Sequence, residues 1–496
     1  MATEVSLTLI LVAAVALLIA AQALRVPYPI LLVVGGLGLG MVPGMPEVQL
    51  EPDLVLLVLL PPLLYAAAFF TPLRELRRNV KPITVLAVGL VLATTVAVAI
   101  VAHEALGFDW APAFVLGAIV SPTDPIAATA IARRLGVPGR IVTIVEGESL
   151  INDATALVTY KFAVVAVVTG SFSLADASAE FVVSMAGGIA VGIGIGAAVA
   201  HVRRRLDNPP VEVTIALFTA YFAYLPAEAI GVSGVLAAVT VGIYMGRLTS
   251  KLTSPTTRIQ GVAVWEIVTF VLNSALFVLV GLQLPAILDG IERLDNSGVV
   301  LDGVLVAATV IVIRLAWVFP IAYASRLLSS HMRGAPPTPW RQVLLVGWTG
   351  MRGAVSLAAA LALPLQTDAG APFPERDLII FLAFCVILGT LLIQGLSLPP
   401  LIRLLGVDDR DEALEREELQ ARIAAAEAAL ARVDELGDED WVRDDTLERV
   451  RSAYHYRRRR FASLAGDRRT TRSTTRAGRS TTSAWSVRRS RRSGNR

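Results

Sequence analysis

The sequence predicts an all-α polytopic membrane protein of about thirteen transmembrane helices, with inverted repeats whose two broken helices cross at the bilayer midplane. Three observations carry this expectation. The 496 residues are 55% hydrophobic and 17% charged, with a mean hydropathy of +0.64, which describes a chain solvated by lipid. Apolar segments of membrane length lie near 5–24, 28–44, 53–71, 82–103, 111–132, 141–168, 179–201, 211–227, 230–246, 259–287, 299–328, 342–364 and 377–403. Two of them, the fifth and the twelfth, are both interrupted and both charged.

Basic residues order these segments. Arg74, Arg77, Arg78 and Lys81 follow the third; Arg133, Arg134 and Arg140 follow the fifth; Arg203, Arg204 and Arg205 follow the seventh. Arg247, Lys251 and Arg258 follow the ninth, Arg326, Arg333 and Arg341 the eleventh, and an Arg-rich tail the last. The intervening loops are acidic or nearly neutral, so the positive-inside rule puts the N-terminus outside, the C-terminus in the cytoplasm, and an odd number of spans between them. The first segment is preceded by Glu4 and no basic residue, which reads as a retained helix rather than a signal peptide. The expected organisation is a transmembrane domain over 1–405, with core spans about 82–168 and 299–403 and scaffold spans about 5–71 and 179–287. A charged helical cytoplasmic region follows over 406–465. The tail at 466–496, with ten arginines and one aspartate among Ser, Thr and Gly, is expected to be disordered. Such a tail either binds anionic head groups or is a solvated arm.

Carboxylates mark the functional region. Asp124, Glu146, Glu148 and Asp153 fall within one otherwise apolar stretch, although a carboxylate at a helix centre costs about 2.5–3.5 kcal/mol on insertion scales. In Ser121-Pro122-Thr123-Asp124-Pro125 each proline lacks an N–H and clashes with the preceding turn, so the helix is kinked or broken there. Asp124 then sits at a helix start, as an ion-site residue or as a plain N-cap. Asp153 lies roughly 18 Å beyond Arg140 at 1.5 Å per residue, near the midplane. Ser149 and Asp153 share one helix face, and Glu148 and Asn152 another. A hydroxyl and a carboxylate suit a hard cation, and a proton competes with that cation for the same carboxylate; a buried structural ion pair is the other reading of Asp153. Arg352, flanked by Gly350 and Gly353 in the twelfth segment, is about as deep as Asp153, and the expected partner for it is Glu148. The fifth and twelfth segments are seven apart and so run in opposite directions, as broken helices of an inverted repeat do. Arg314 either pairs within the core or snorkels, and Lys161 is expected to make a structural contact.

These residues resemble the monovalent cation:proton antiporters of the sodium/proton exchanger type. The likeness is carried by Thr123-Asp124-Pro125, Glu148-Ser149-Leu150-Ile151-Asn152-Asp153 and Gly350-Met351-Arg352-Gly353, with Leu60-Pro61-Pro62-Leu63-Leu64-Tyr65, Trp265-Glu266 and Asn273 also matching, over about residues 5–405. The resemblance implies thirteen helices, a six-helix transport core and a dimerising scaffold. It implies exchange of Na+, or alternatively Li+ or K+, for H+ by alternating access in the plasma (inner) membrane, electroneutral because Asn152-Asp153 stands where electrogenic relatives have two aspartates. It also implies an ion and proton site of Asp153, Ser149, Thr123, Asp124 and Asn152, with Asp153, Ser149 and Thr123 on the Na+, and a buried pair of Glu148 with Arg352. One departure is Ala66, where many members carry an acidic residue that helps hold the cation.

Other classes find less support. A G-x-x-x-x-G-K-[ST] phosphate loop is absent, which argues against an ATP-driven pump. The four histidines lie at segment ends, in loops or in the tail, and Gly147-Glu148-Ser149 is no nucleophile elbow, so an enzyme is not expected. The lone Cys385 excludes a disulfide within the chain and a cysteine metal cluster, and neither a cofactor nor a nucleic-acid partner is expected. The alternative that remains is a cation- or proton-coupled solute symporter of similar broken-helix architecture.

Overall fold

The computed structural model describes residues 15–21, 23, 27–42, 54–170, 174–283, 287, 298–328, 339–407, 412–437, 439 and 442–464. Its regular elements are helical, apart from one isolated bridge between Gln366 and Pro372. The chain divides into two units, 1–408 and 409–496.

In the first unit, α1 is Tyr28–Gly40, and α2 joins a π-helical turn, Leu54–Leu59, to Leu60–Phe70. Pro62 has no N–H for the carbonyl of Val58, one turn earlier, and Tyr221 donates its hydroxyl to that oxygen instead, at 2.7 Å. The short α3 (Leu73–Arg78) leads into α4 (Val80–Leu106), then α5 (Trp110–Val120), α6 (Pro125–Arg134) and α7 (Gly139–Thr169). Next come α8 (Leu174–Arg203), α9 (Pro209–Ala229), α10 (Gly234–Leu252) and α11 (Pro255–Leu282). The last four are α12 (Val299–Leu328), α13 (Trp340–Trp348), α14 (Ala354–Leu361) and α15 (Arg376–Leu405). Side-chain caps set several starts: Asn208, Ser233 and Ser254 each accept from a backbone N–H three residues on.

Among the described residues, eight helical stretches are long and apolar enough to cross a membrane, with Tyr28–Gly40 and Leu57–Phe70 as shorter apolar helices. The protein is a multi-pass membrane protein. The segment expected at 230–246 is the helix α10, the one expected at 342–364 is the pair α13 and α14, and most of the first expected span lies outside the described residues. Thirteen residues of α1 rise only about 20 Å, short of a 30 Å hydrocarbon core.

Packing sorts the helices into two sets. Helices α4, α5, α7, α12 and α15 pack on one another, with α6 and α14 drawn in. Helices α2, α8, α9 and α10 form the other set, and α11 joins it while running along α1. A buried pair, Arg203 with Glu212 at 3.4 Å, ties α8 to α9, and Glu212 also accepts from Thr257 of α11. Lys161 of α7 reaches Glu228 of α9 at 3.2 Å. The α1–α11 contact is backbone against backbone, since a Cβ on Gly281 would strike the Val33 carbonyl, Leu37 N and Gly36.

The second unit is a charged hairpin of α16 (Glu412–Leu436) and a helix over 444–464. Ala426, Leu430 and Val433 form a buried stripe at helical spacing, Arg451 pairs with Asp434 at 2.7 Å, and Arg422 stacks 5.5 Å above Phe461. The tail expected at 466–496 lies outside the described residues.

Gly281→Val is expected to lower the thermal midpoint of detergent-solubilised protein, at an overpacking cost of about 1–3 kcal/mol, because both chains at that contact are backbone. Fluorescence-detected size exclusion after heating checks this, and an unchanged midpoint would mean that α1 is free to move away.

Candidate functional site

The site forms where two helices stop inside the apolar interior. Helix α5 ends at Val120, and α6 begins at Pro125. Helix α13 ends at Trp348, and α14 begins at Ala354. The two gaps meet: Asp124 N donates to Met351 O at 2.8 Å. Gly353 lies so close to Asp124 that a Cβ there would collide with its side chain.

Three of the four helix ends in this region have a charged partner, and the start of α14, at Gly353, has no side-chain cap. The Asp124 carboxylate caps α6, accepting from Ile126 N at 2.8 Å, which places an anion at the positive end of a helix. Arg352 donates from Nε to Val120 O at 3.0 Å, on a carbonyl that α5 leaves open, and from Nη1 to Gly350 O, while its own N–H is taken by Thr390 Oγ1. Arg314, which projects from the uninterrupted α12, does the same for α13, with Nε on Gly347 O at 3.2 Å and Nη2 on Val346 O at 3.1 Å.

Arg314 is also the partner of Glu148. Two parallel contacts, 2.5 Å and 2.9 Å, join the guanidinium to the carboxylate, with both residues buried at 0% and 1% exposure. The expected pairing of Glu148 with Arg352 is therefore corrected. Depth in the membrane was the reason for choosing Arg352, and the geometry shows what depth omits: a residue inside a helix break is drawn to the open carbonyls beside it. The choice left open for Arg314, between pairing and snorkelling, resolves to pairing.

Glu148 accepts as well from Thr123 Oγ1 at 3.2 Å, and Asn152 Nδ2 donates to the same Thr123 hydroxyl at 2.8 Å. Asn152 was expected among the ion ligands, but it sits behind the cavity wall, holding the α5–α6 gap against α7. Glu146 is also removed from the centre, pairing with Arg133 at 2.5 Å where Arg133 is exposed.

Ser149 and Asp153, one turn apart on α7, face a cavity of about 530 Å³, together with Thr123, Asp124, Gly353 and Ser356. Asp153 is 7% exposed, and among the described residues no hydrogen bond or ion pair engages its carboxylate. It is thus unlike its acidic neighbours Asp124, Glu146 and Glu148. Helices α2 and α11 also line it, with Ala66, Trp265, Glu266, Thr269 and Asn273, and the cavity extends to the Arg133–Glu146 pair. Ser356 and Thr390 were not singled out in the sequence; small hydroxyls in an alanine-rich or leucine-rich helix carry no signal of their own.

Comparison with known proteins names the fold and family. The pattern of the family described as "Sodium/hydrogen exchanger, transmembrane" matches residues 10–404. The chain belongs to the sodium/hydrogen exchanger family. It is 40% identical to an uncharacterized Na(+)/H(+) exchanger of Mycobacterium tuberculosis, over 87% of this chain and 80% of that protein. It is 33% identical to the Na(+)/H(+) antiporter ApNhaP of Aphanothece halophytica, over 86% of this chain and 79% of that one. Its fold matches the structure of the sodium proton antiporter MjNhaP1 from Methanocaldococcus jannaschii with a TM-score of 0.64 at 20% identity, covering 82% of this chain and 100% of that one.

The contact map of the two arginines makes a ranked prediction for this family member. Arg314→Ala strands the buried Glu148 carboxylate and opens the end of α13, so it is expected to cost about 3–5 kcal/mol. Arg352→Ala strands neutral carbonyls and should cost less, about 1–3 kcal/mol. Folded yield and thermal midpoint of the two variants check the order, and a reversed order would restore Arg352 as the partner of Glu148.

Proposed function

We propose that this exchanger is a secondary antiporter that moves Na+ against H+ across the membrane by alternating access. The observation that carries the reading is Asp153, a buried carboxylate without a partner among the described residues, on the lining of a cavity among membrane-length helices. A proton and a hard monovalent cation compete for such a group, and competition at one group couples their fluxes. The names of the relatives ApNhaP and MjNhaP1 support the same ions.

The charge inventory supports a one-for-one, electroneutral stoichiometry. Glu148 is matched by Arg314 and Asp124 by a helix N-terminus, and the neighbour of Asp153 is the neutral Asn152, so a single carboxylate exchanges one positive charge for another. Asp153 and Ser149 are the proposed first ligands of the cation, Thr123 and Asp124 shape the crossing beside them, and no cofactor is required. The separation of two helix sets supports a core of α4–α7 with α12–α15 moving against a scaffold of α1, α2 and α8–α11. The cavity leads toward Arg133, and by the positive-inside rule that side is the cytoplasm of a cell whose plasma membrane holds the protein, with the N-terminus outside and the scaffold forming a homodimer.

Purified protein in proteoliposomes with a dye reporting ΔpH tests this. Addition of Na+ is expected to drive proton movement in wild type, with or without valinomycin and K+ clamping the potential, and Asp153→Asn is expected to abolish it while inserting normally. Exchange retained without Asp153 would remove the site assignment. Proton movement dependent on an organic solute, and on no monovalent cation alone, would establish symport instead.

A further inference from the structure

We propose that Asn273 supplies a neutral oxygen ligand to the cation at the base of the cavity and thereby sets cation affinity without taking part in proton binding. The inference rests on the exchange reading above and deepens it, by assigning a metal-specific contact that the α7 residues do not provide.

Helix α11 presents Glu266, Thr269 and Asn273 to the cavity, at i, i+3 and i+7, a polar stripe about 10 Å long at 1.5 Å per residue. Burial deepens along it: Glu266 is exposed, Thr269 half-buried and Asn273 only 8% exposed. The stripe therefore runs inward along the cavity that Asp153 and Ser149 also line. Helix α2 offers a cation little, since it contributes only leucines, alanines and Phe70 to the cavity.

Of the three, Asn273 is the one with an uncommitted buried group. The Thr269 hydroxyl donates back to its own helix, to Trp265 O at 2.7 Å. Asn273 Oδ1 is buried with no hydrogen-bond partner. Buried amides are nearly always satisfied, so an orphaned one on a cavity wall points to something that meets it there. Neither end of this amide is held by a hydrogen bond among the described residues, so a half-turn about the terminal bond brings its oxygen to bear on a cation, as the carbonyl oxygens of Asn side chains do for hard cations generally.

The chemistry separates the two substrates. Asp153 binds either a proton or a cation, whereas an amide oxygen ligates a cation and does not titrate. Loss of Asn273 should weaken only one side of the competition. Asn273 also belongs to the helix set opposite α7, so a cation held between Asp153 and Asn273 bridges the two sets, and a proton on Asp153 does not.

The test measures the half-saturating Na+ concentration and the maximal rate of Na+-driven proton movement in proteoliposomes, for wild type, Asn273→Ala and Asn273→Ser. The alanine variant is expected to raise half-saturation about tenfold, the size of one lost ligand interaction, with a maximal rate within about twofold of wild type, and the serine hydroxyl is expected to recover part of the shift. Half-saturation unchanged for Na+, Li+ and K+ overturns the assignment. So does a fall in maximal rate at unchanged half-saturation, the signature of a merely structural residue. If the alanine variant yields no folded protein, the serine variant decides by the same two criteria. Wild type that moves no protons with any of these cations overturns the exchange reading itself, a failure distinct from a normal wild type with an unshifted variant.

Discussion

A helix that stops inside a bilayer exposes carbonyl and amide groups that lipid cannot satisfy, at several kcal/mol for each one left open. This protein has two such stops against each other, and the rest of the site follows from how they are satisfied. The solution uses full charges on the helix ends. Arg352 closes α5, Arg314 closes α13 and Asp124 caps α6. Each charge opposes a helix-dipole end of the favourable sign, so breaking the helices and burying the charges offset each other.

Arg314 links this backbone problem to the side chains. Its Nε and Nη2 reach the α13 carbonyls, while Nη1 and the same Nη2 also donate to Glu148, and that second interaction fixes the face of α7 turned toward the crossing. Thr123 and Asn152 then complete a chain of donors from α7 to the α5–α6 gap. One residue on from Glu148 and Asn152, and so on the next face of α7, Ser149 and Asp153 line the cavity instead. The inventory of charges separates Glu148, Asp124, Arg314 and Arg352, which hold the crossing together, from Asp153, a buried carboxylate with no partner among the described residues.

Much of this was legible in the sequence because membranes penalise polar groups so heavily. The composition of 111–168 was enough to single out Ser121–Asp124 and Asp153, and paired prolines signalled the first gap through their missing donors. The second gap was visible in Gly350 and Gly353. Partner choice was not legible, since depth pointed to Arg352 as the partner of Glu148, and only the three-dimensional position of the open carbonyls turns Arg352 away and brings in Arg314. Asn152 was placed in the ion site by the family resemblance, whereas its spacing put it on the face of Glu148, about 100° from Asp153, and it is that spacing which keeps it off the cavity lining. The buried Arg203–Glu212 pair was hidden for another reason, because Arg203 heads a run of three arginines that reads as a solvated loop.

The seam between the two helix sets is built differently from the crossing. Leu64 and Ala68 of α2, Leu150 and Ala154 of α7, and Leu236 and Val239 of α10 share one apolar cluster there. Hydrogen bonds are directional and lose most of their strength when displaced by an ångström, but dispersion contacts between smooth aliphatic surfaces re-form after a slip. The half that contains the crossing is thus held internally by charged, directional bonds, and it meets α2 and α10 through an apolar surface, with the Lys161–Glu228 pair as a polar link to α9. If the two sets move as the proposed alternating access requires, a single polar side chain introduced at Ala154 or Ala68 would act as a pin in that smooth contact, stopping the slip while leaving the hydrogen bonds of the crossing in place.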